Sequence, residues 1–334
     1  MSATVYLTTP DGQLKLDSAQ PQDASTTCTL DYLNEGGANF VFRLLPAQGQ
    51  TRPPTITGKL LRLRKDFPHV QSTTEQLQDF DQHFKPLFPP EHIIEHTLVQ
   101  LAGSIPRLLN QSLQHLDRPS HRGQDSLPLS ETHGLLITDM TPKPDSTLLQ
   151  LKPKWLSQSP NAPANAKRCR TCALRAQRAS QQIRTATDKQ ASCPLALVSE
   201  RVQDRQRAAE AVTRDAELRH LLAHEVQPLL QLLRQWQIDL DRAGVLNAAS
   251  ADASAVRDLC KAMTLRDCTL FARRSNGGGN VEVRLGDLDL KQASQTTKWC
   301  QVERSLIGQG WYMNGEDPEV WVDEDICLLS RALK

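Results

Sequence analysis

Asp267, in the segment MTLRDCTLF, stands about twenty residues before the run Asp287-Leu288-Asp289-Leu290-Lys291. Phosphoryl transfer asks for one carboxylate beside the attacking hydroxyl and another on a metal ion, and a hairpin-like segment supplies both from its two ends. On a strand, residues i and i+2 share a face, so Asp287 and Asp289 would present together the hard oxygen ligands that Mg2+ on ATP requires. Either acid alone reads equally well as a solvent-facing carboxylate. The pairing is what points to chemistry.

Cations recur at spacings that suit phosphate. In Lys152-Pro153-Lys154 the proline fixes the backbone, and an extended geometry puts both ammonium groups on one face. A polyphosphorylated substrate needs such clamps, because each phosphate leaves water only against matching charge. Glu35-Gly36-Gly37-Ala38-Asn39 leads into the apolar FVFRL, and consecutive glycines before a strand let a backbone approach an anion closely. Arg62, in KLLRLRK, follows about two dozen residues later, where kinase-like folds carry a basic residue toward the nucleotide phosphates. The plain readings are an ordinary turn for the glycines, a surface motif for the lysines and a solvent-facing side chain for Arg62.

These residues need elements to hold them. Asn39 to Leu45 and Lys59 to Leu63 alternate as strands. TEQLQDFDQHF and EHIIEHTLVQLAG carry helical spacing and read as helices packed on a small sheet. Residues 116 to 132 are polar and aperiodic and form a loop, followed by a strand from Gly134 to Asp139 and another from Thr147 to Leu151. Helix formers dominate Lys167 to Gly244, notably SERVQDRQRAAEAV and HEVQPLLQLLRQWQIDLDRAG. Alternation returns from Cys268 to Arg273, with Gly277 to Gly279 as a hairpin turn into the strand VEVRLGDLDL.

The whole chain bounds these readings. With 334 residues there is room for two moderate domains or one bilobal enzyme. Lysine plus arginine number 39 against 38 acids, a net charge of +1, so neither nucleic acid nor an anionic membrane is drawn to the protein as a whole. Any anion site is therefore local. Lys59, Arg62, Arg64 and Lys65 form one basic run, and Lys167, Arg168, Arg170, Arg175 and Arg178 another; both read most simply as solvated faces. The second lacks the interleaved aromatics that would stack RNA bases. No run of eighteen apolar residues and no leader-like start are visible. Eight cysteines, scattered beside aliphatic residues, suggest reduced buried thiols and a nuclear or cytoplasmic setting. Cys169 and Cys172 have the spacing of half a zinc site, with Cys193 a candidate third ligand and no histidine close by; helical buried thiols are the simpler reading. His220 and His224 stand at i and i+4 without a supporting acid and read as helix packing.

In order, EGGANFVFRL, GKLLRLRK, HGLLITDMTP, LQLKPKWLSQSP, KRCRTCALRA, CPLAL, MTLRDCTLF and GDLDLK resemble the inositol-pentakisphosphate 2-kinase family, in particular its fungal branch. The resemblance implies an α+β, bilobal kinase-like fold: an N-lobe over residues 1–136, a hinge at 137–142, and an α/β C-lobe over 143–334 holding the inositol phosphate. It implies that Gly36, Gly37, Ala38, Asn39 and Arg62 serve the ATP phosphates and that Asp139 contacts the adenine. Asp267 becomes the catalytic carboxylate, and Asp287, helped by Asp289, the Mg2+ ligand. Lys152, Lys154 and Lys291 bind substrate phosphates, with Arg175 and one of Arg118 or Arg122 as further clamps. Expected partners are ATP and inositol pentakisphosphate, with no nucleic acid and no membrane, for a monomeric enzyme. Gln150 and Ala196 stand where the family often has acids, and Lys298 and Trp299 match only loosely a basic and aromatic pair. Those departures define the alternative, an inactive inositol-phosphate-binding scaffold on the same fold. The zinc site of plant members, two histidines and a CxxC within an insertion, has no counterpart here.

Overall fold

The computed structural model describes residues 3–21, 26–181, 192–248, 250–275, 279, 281–313 and 327–331. They divide into two compact units, one of residues 1–82 with 94–140, the other of residues 83–93 with 141–334.

In the first unit, seven strands close into a barrel: β1 (Ala3–Thr8), β2 (Lys15–Asp17), β3 (Thr26–Glu35), β4 (Asn39–Pro46), β5 (Lys59–Arg64), β6 (His96–Leu101) and β7 (His133–Thr138). The order around the barrel is β1-β2-β6-β7-β5-β4-β3, antiparallel throughout except where β2 meets β6. Closure leaves no edge strand open. Alternation along β4 puts Phe40, Phe42 and Leu44 inside with Val5, Leu30, Leu61 and Val99, and Leu109 of α2 (Ile105–Gln114) packs on the same core. The segment EHIIEHTLVQLAG, expected to be helical, contains β6 instead. Val99 and Leu101 turn into the core, His96 to Gln100 pair with β7 and Gln100 and Leu101 with β2, and these ladders override the helical spacing. α1 (Thr73–His83) is the helix expected there.

The basic run 59–65 is not a solvated face. Lys65 is fully buried, its Nζ 2.5 Å from Glu35 and 2.6 Å from Asp125, and Arg62 is buried with Nη2 donating to Gln76 Oε1 at 2.8 Å.

The second unit sets a three-stranded antiparallel sheet, β8 (Ser146–Leu151), β9 (Thr269–Ser275) and β10 (Val281–Gly286), beside helices. These are α3 (Arg170–Ser180), α4 (Pro194–Leu197), α5 (Val202–Val212), α6 (Ala216–His220), α7 (Gln227–Asp239), α8 (Val245–Ala248), α9 (Ala253–Leu265), α10 (Thr296–Gly308) and α11 (Leu328–Arg331). β9 and β10 pair from Arg274↔Val281 to Thr269↔Gly286, the expected hairpin; Gly277 and Gly278 of its turn lie outside the described residues. The strand stops at Gly286, before the two aspartates placed on it by sequence. Asp287 takes φ 56°, in the left-handed region, and no strand continues through that geometry.

The second basic run is also partly interior. Arg168 and Arg170 are buried, the latter with Nε 2.7 Å from Glu303 Oε2. No described helix is long and apolar enough to cross a membrane.

Candidate active site

Strand direction explains why distant residues meet. β8 ends at Leu151 opposite Leu270, near the start of β9, and β9 begins at Thr269 opposite Gly286, the last residue of β10. Lys152 therefore leaves β8, Asp267 enters β9 and Asp287 leaves β10 at one edge of the sheet. α9 delivers Asp267: its N-cap Asp252 accepts from Ala255 N, and its last turn closes with Asp267 N donating to Thr264 O at 2.9 Å.

Three ammonium groups converge on the Asp267 carboxylate. Lys154 Nζ donates to Oδ1 at 3.1 Å, Lys291 Nζ to Oδ2 at 2.9 Å, and Lys152 Nζ lies 3.5 Å from Oδ1 while donating to the Asp267 carbonyl at 2.8 Å. Burial pushes the carboxyl up, but Lys154, Lys291 and Lys152 outweigh it and hold Asp267 well below the usual carboxylate range. Asp267 thus stays charged at any working pH. Lys152 also stands 3.7 Å from Asp287 Oδ2, joining the two acids through one cation. Thr269 Oγ1 donates to the same Oδ2 in a short hydrogen bond. The Asp287 side chain remains 57% exposed, and Oδ1 carries neither contact.

Backbone strain marks the same place. Lys154 (φ 63°) and Asp287 (φ 56°) are the non-glycine residues with positive φ among the described residues. Such geometry costs on the order of 1 kcal/mol and persists only where surroundings impose it.

What imposes it is a set of buried residues that sequence reading missed. Gln237 of α7, fully buried, accepts from Leu156 N at 2.9 Å and donates to Lys154 O at 2.9 Å and Leu265 O at 3.2 Å. One amide thereby fastens the Lys-Pro-Lys segment to the end of α9. Thr264 Oγ1 accepts from Lys291 N at 2.9 Å and donates to Asp289 O at 3.3 Å, holding the DLDLK segment to the same helix. Behind both, Trp155 lies under the guanidinium of Arg266 at 3.6 Å and that of Arg170 at 4.2 Å. Arg266 is itself paired with Asp241 at 2.6 Å, and Glu303 takes Arg170, Ser159 and Tyr312. A glutamine inside an amphipathic helix looks like any surface glutamine in sequence. Only the pairing of an aromatic with Lys-Pro-Lys hinted at a buried wall.

The remaining candidates hold other partners. Arg175 Nη1 donates to Ser192 O at 2.8 Å. In the first unit, Gly36 to Asn39 form the turn between β3 and β4, closed by Gly36 N donating to Asn39 O at 2.8 Å. Arg118 grips Glu35 with Nε at 2.9 Å and Nη2 at 3.2 Å, and Arg122 Nη1 donates to Glu35 O at 2.6 Å, so both brace the root of that turn. Asp139 follows β7, its N–H donating to Gly58 O at 2.8 Å. Gln150 is exposed on β8, and Ala196 is buried in α4. The His220 and His224 rings lie 4.6 Å apart between centroids, their planes tilted by 31°.

Residues 32–305 match the family profile described as inositol-pentakisphosphate 2-kinase. The inositol-pentakisphosphate 2-kinase of Yarrowia lipolytica is 28% identical over 308 residues, covering 84% of this chain and 91% of that protein. The matched region takes in β8, α9, β9 and β10, which carry the lysine-ringed aspartate and its strained neighbour. On that coverage, the chain belongs to the inositol-pentakisphosphate 2-kinase family.

Proposed function

We propose that this chain transfers the γ-phosphoryl group of ATP to the 2-hydroxyl of inositol 1,3,4,5,6-pentakisphosphate, giving inositol hexakisphosphate (phytate). The observation that carries the reading is Asp267, one carboxylate ringed by Lys152, Lys154 and Lys291, with Asp287 sharing Lys152.

The lysines serve two states in turn. In the free protein they neutralise Asp267; with substrate bound, their ammonium groups turn to phosphate oxygens. Their hold on the carboxylate then weakens, and its affinity for a proton rises where a hydroxyl proton is to be accepted. The transition state of phosphoryl transfer is loose, so orienting the hydroxyl matters more than removing its proton early. Asp267 sits among the substrate cations and is suited to both.

Asp287, with Asp289 beside it, suits Mg2+: both of its contacts fall on Oδ2, which leaves Oδ1 as a hard oxygen donor. Mg2+ held there would neutralise charge on the transferring phosphate. In the first unit, Gly36, Gly37, Ala38 and Asn39 are assigned to the ATP phosphates with Arg62, and Asp139 to the adenine. A Cβ at Gly36 or Gly37 would meet nothing within 4 Å, and neither has positive φ. Turn geometry therefore does not require glycine, whereas a bare backbone approached by phosphate does. Arg118, Arg122 and Arg175 would join the substrate phosphates only by leaving the partners they now hold. On this reading residues 1–136 form the N-lobe and residues 143–334 the C-lobe of a bilobal kinase-like fold, with residues 137–142 as hinge.

The test is incubation of the purified chain with ATP, Mg2+ and inositol pentakisphosphate, followed by anion-exchange separation. Equal amounts of hexakisphosphate and ADP are expected. Binding of pentakisphosphate without transfer would leave an inactive scaffold instead.

A further inference from the structure

Two dipeptides lie side by side in the second unit, Lys154-Trp155 and Arg266-Asp267, and each has one side chain toward solvent and one in the interior. Lys154 Nζ and Asp267 Oδ1 stand 3.1 Å apart, with 36% and 39% of the two side chains exposed. Trp155 and Arg266 are buried, the guanidinium carbon 3.6 Å from the centroid of the indole ring. The outer contact is one that a phosphate can reach and replace. The inner contact is not.

That difference matters during a reaction cycle. On the reading proposed above, Lys152, Lys154 and Lys291 leave the Asp267 carboxylate for substrate phosphates. The bonds that fix it in the free protein are then lost just when it has to orient a hydroxyl. A misplacement of about 1 Å costs on the order of a hundredfold in rate. Asp267 lies in the short link from Arg266 to Cys268, between the end of α9 at Leu265 and the start of β9 at Thr269. Its place depends on what holds that link.

Arg266 holds it from the interior. Nη1 lies 2.6 Å from Asp241 Oδ2, Nη2 donates to Gln237 O at 3.2 Å, and the flat of the guanidinium covers Trp155. A planar fork with a stacking face meets all three partners at once, which an ammonium group does not. Burial lowers the affinity of this guanidinium for its proton and Asp241 offsets that in part, but arginine stays charged at any working pH. As packing, the arrangement gains nothing: apolar residues of similar volume often stabilise as well as a buried ion pair. As positioning, it supplies a direction that apolar side chains lack. The lysine segment has holds of its own, since Gln237 donates to Lys154 O at 2.9 Å and the Arg170 guanidinium lies 4.2 Å from the same indole ring.

We propose that Arg266, stacked on Trp155 and paired with Asp241, is the positioning residue that keeps Asp267 in place once the three lysines have turned to substrate phosphates. The inference rests on the kinase reading and adds to it a part for the inner face of the site.

Arg266→Met combined with Asp241→Leu tests it in the full chain. Both charges go together, so no buried ion is left alone and the fold should survive, with a urea midpoint near the original. Calorimetric titration with inositol pentakisphosphate counts the competent sites and gives their affinity, which should stay within a fewfold because the lysines and their holds remain. Turnover per competent site, with ATP and Mg2+, should fall by about a hundredfold. Arg266→Lys keeps a charge for Asp241 but loses the stacking fork, and it should show the same split to a smaller degree; should the double variant not fold, this one decides. Turnover within a fewfold of the original, or an affinity that weakens as much as turnover falls, would reduce Arg266 to packing. An unsubstituted chain that binds pentakisphosphate without transferring phosphate to it would remove the kinase reading itself, and this inference with it.

Discussion

Asp267 and Lys154 separate chemistry from stability at the level of single residues. Asp267→Asn keeps the shape but cannot accept a proton, and it leaves three lysines facing a neutral amide. Turnover should fall by at least a thousandfold with ATP affinity within a fewfold of the original, as read by single-turnover assay and nucleotide titration. Normal turnover would remove Asp267 from the mechanism. Lys154 holds a left-handed backbone, φ 63°, that glycine adopts without strain. Lys154→Gly should therefore raise unfolding stability by up to about 1 kcal/mol while weakening inositol phosphate binding more than ATP binding. Lys154→Ala should weaken binding equally and gain no stability. Urea denaturation beside calorimetric titration tells the two apart.

The elements explain what sequence could and could not reveal. The lysines, Asp267 and Asp287 stood out because charged groups at sheet ends break local patterns, and the β9–β10 hairpin because a glycine-rich turn joins two alternating runs. β6 was hidden because a half-buried barrel strand with polar outward residues mimics helical spacing, and its pairing with β2 and β7 is not local. The DLD run lost its strand because the constraint on Asp287 lies in tertiary contacts. Gln237 was invisible for the same reason: its three partners come from two other segments of the chain. α7 thereby works as a positioning element. Gln237→Ala would strand two backbone carbonyls and one N–H, a loss of about 3 kcal/mol by the usual cost of buried unsatisfied groups. It should also raise KM for inositol phosphate more than it lowers kcat, since it frees the lysine segment without touching the acids. Gln237→Glu, which keeps the acceptor for Leu156 N, should recover only part of the affinity. An unchanged KM in a destabilised Gln237→Ala protein would reduce its role to packing.

Across the whole molecule, charge is spent internally: the net charge is +1, yet the deepest ion groups lie in different units. In the first unit Glu35, with its side chain 2% exposed, meets Lys65 and Arg118. Burial pushes its carboxyl up, but the hydrogen bonds and charges of Arg118 and Lys65 prevail and bring it to about 2. The folded-state value lies below the unfolded one, so this contribution to stability is complete above about pH 4.5 and fades as pH falls toward 2. Linkage puts it at roughly 3 kcal/mol. Glu35→Gln leaves two buried cations short of charge, so at neutral pH the barrel should lose a comparable amount, and its stability should then fall less between pH 4.5 and 2 than that of the unsubstituted protein. The tryptophans among the described residues, Trp155, Trp236, Trp299 and Trp311, belong to the second unit, whereas Tyr6 and Tyr32 lie in the barrel. Hydrogen exchange at β3 and β4 should therefore report the loss, and tryptophan fluorescence should not. If the fluorescence transition moves with it, the two units unfold as one, and the effect of Glu35 belongs to the entire chain.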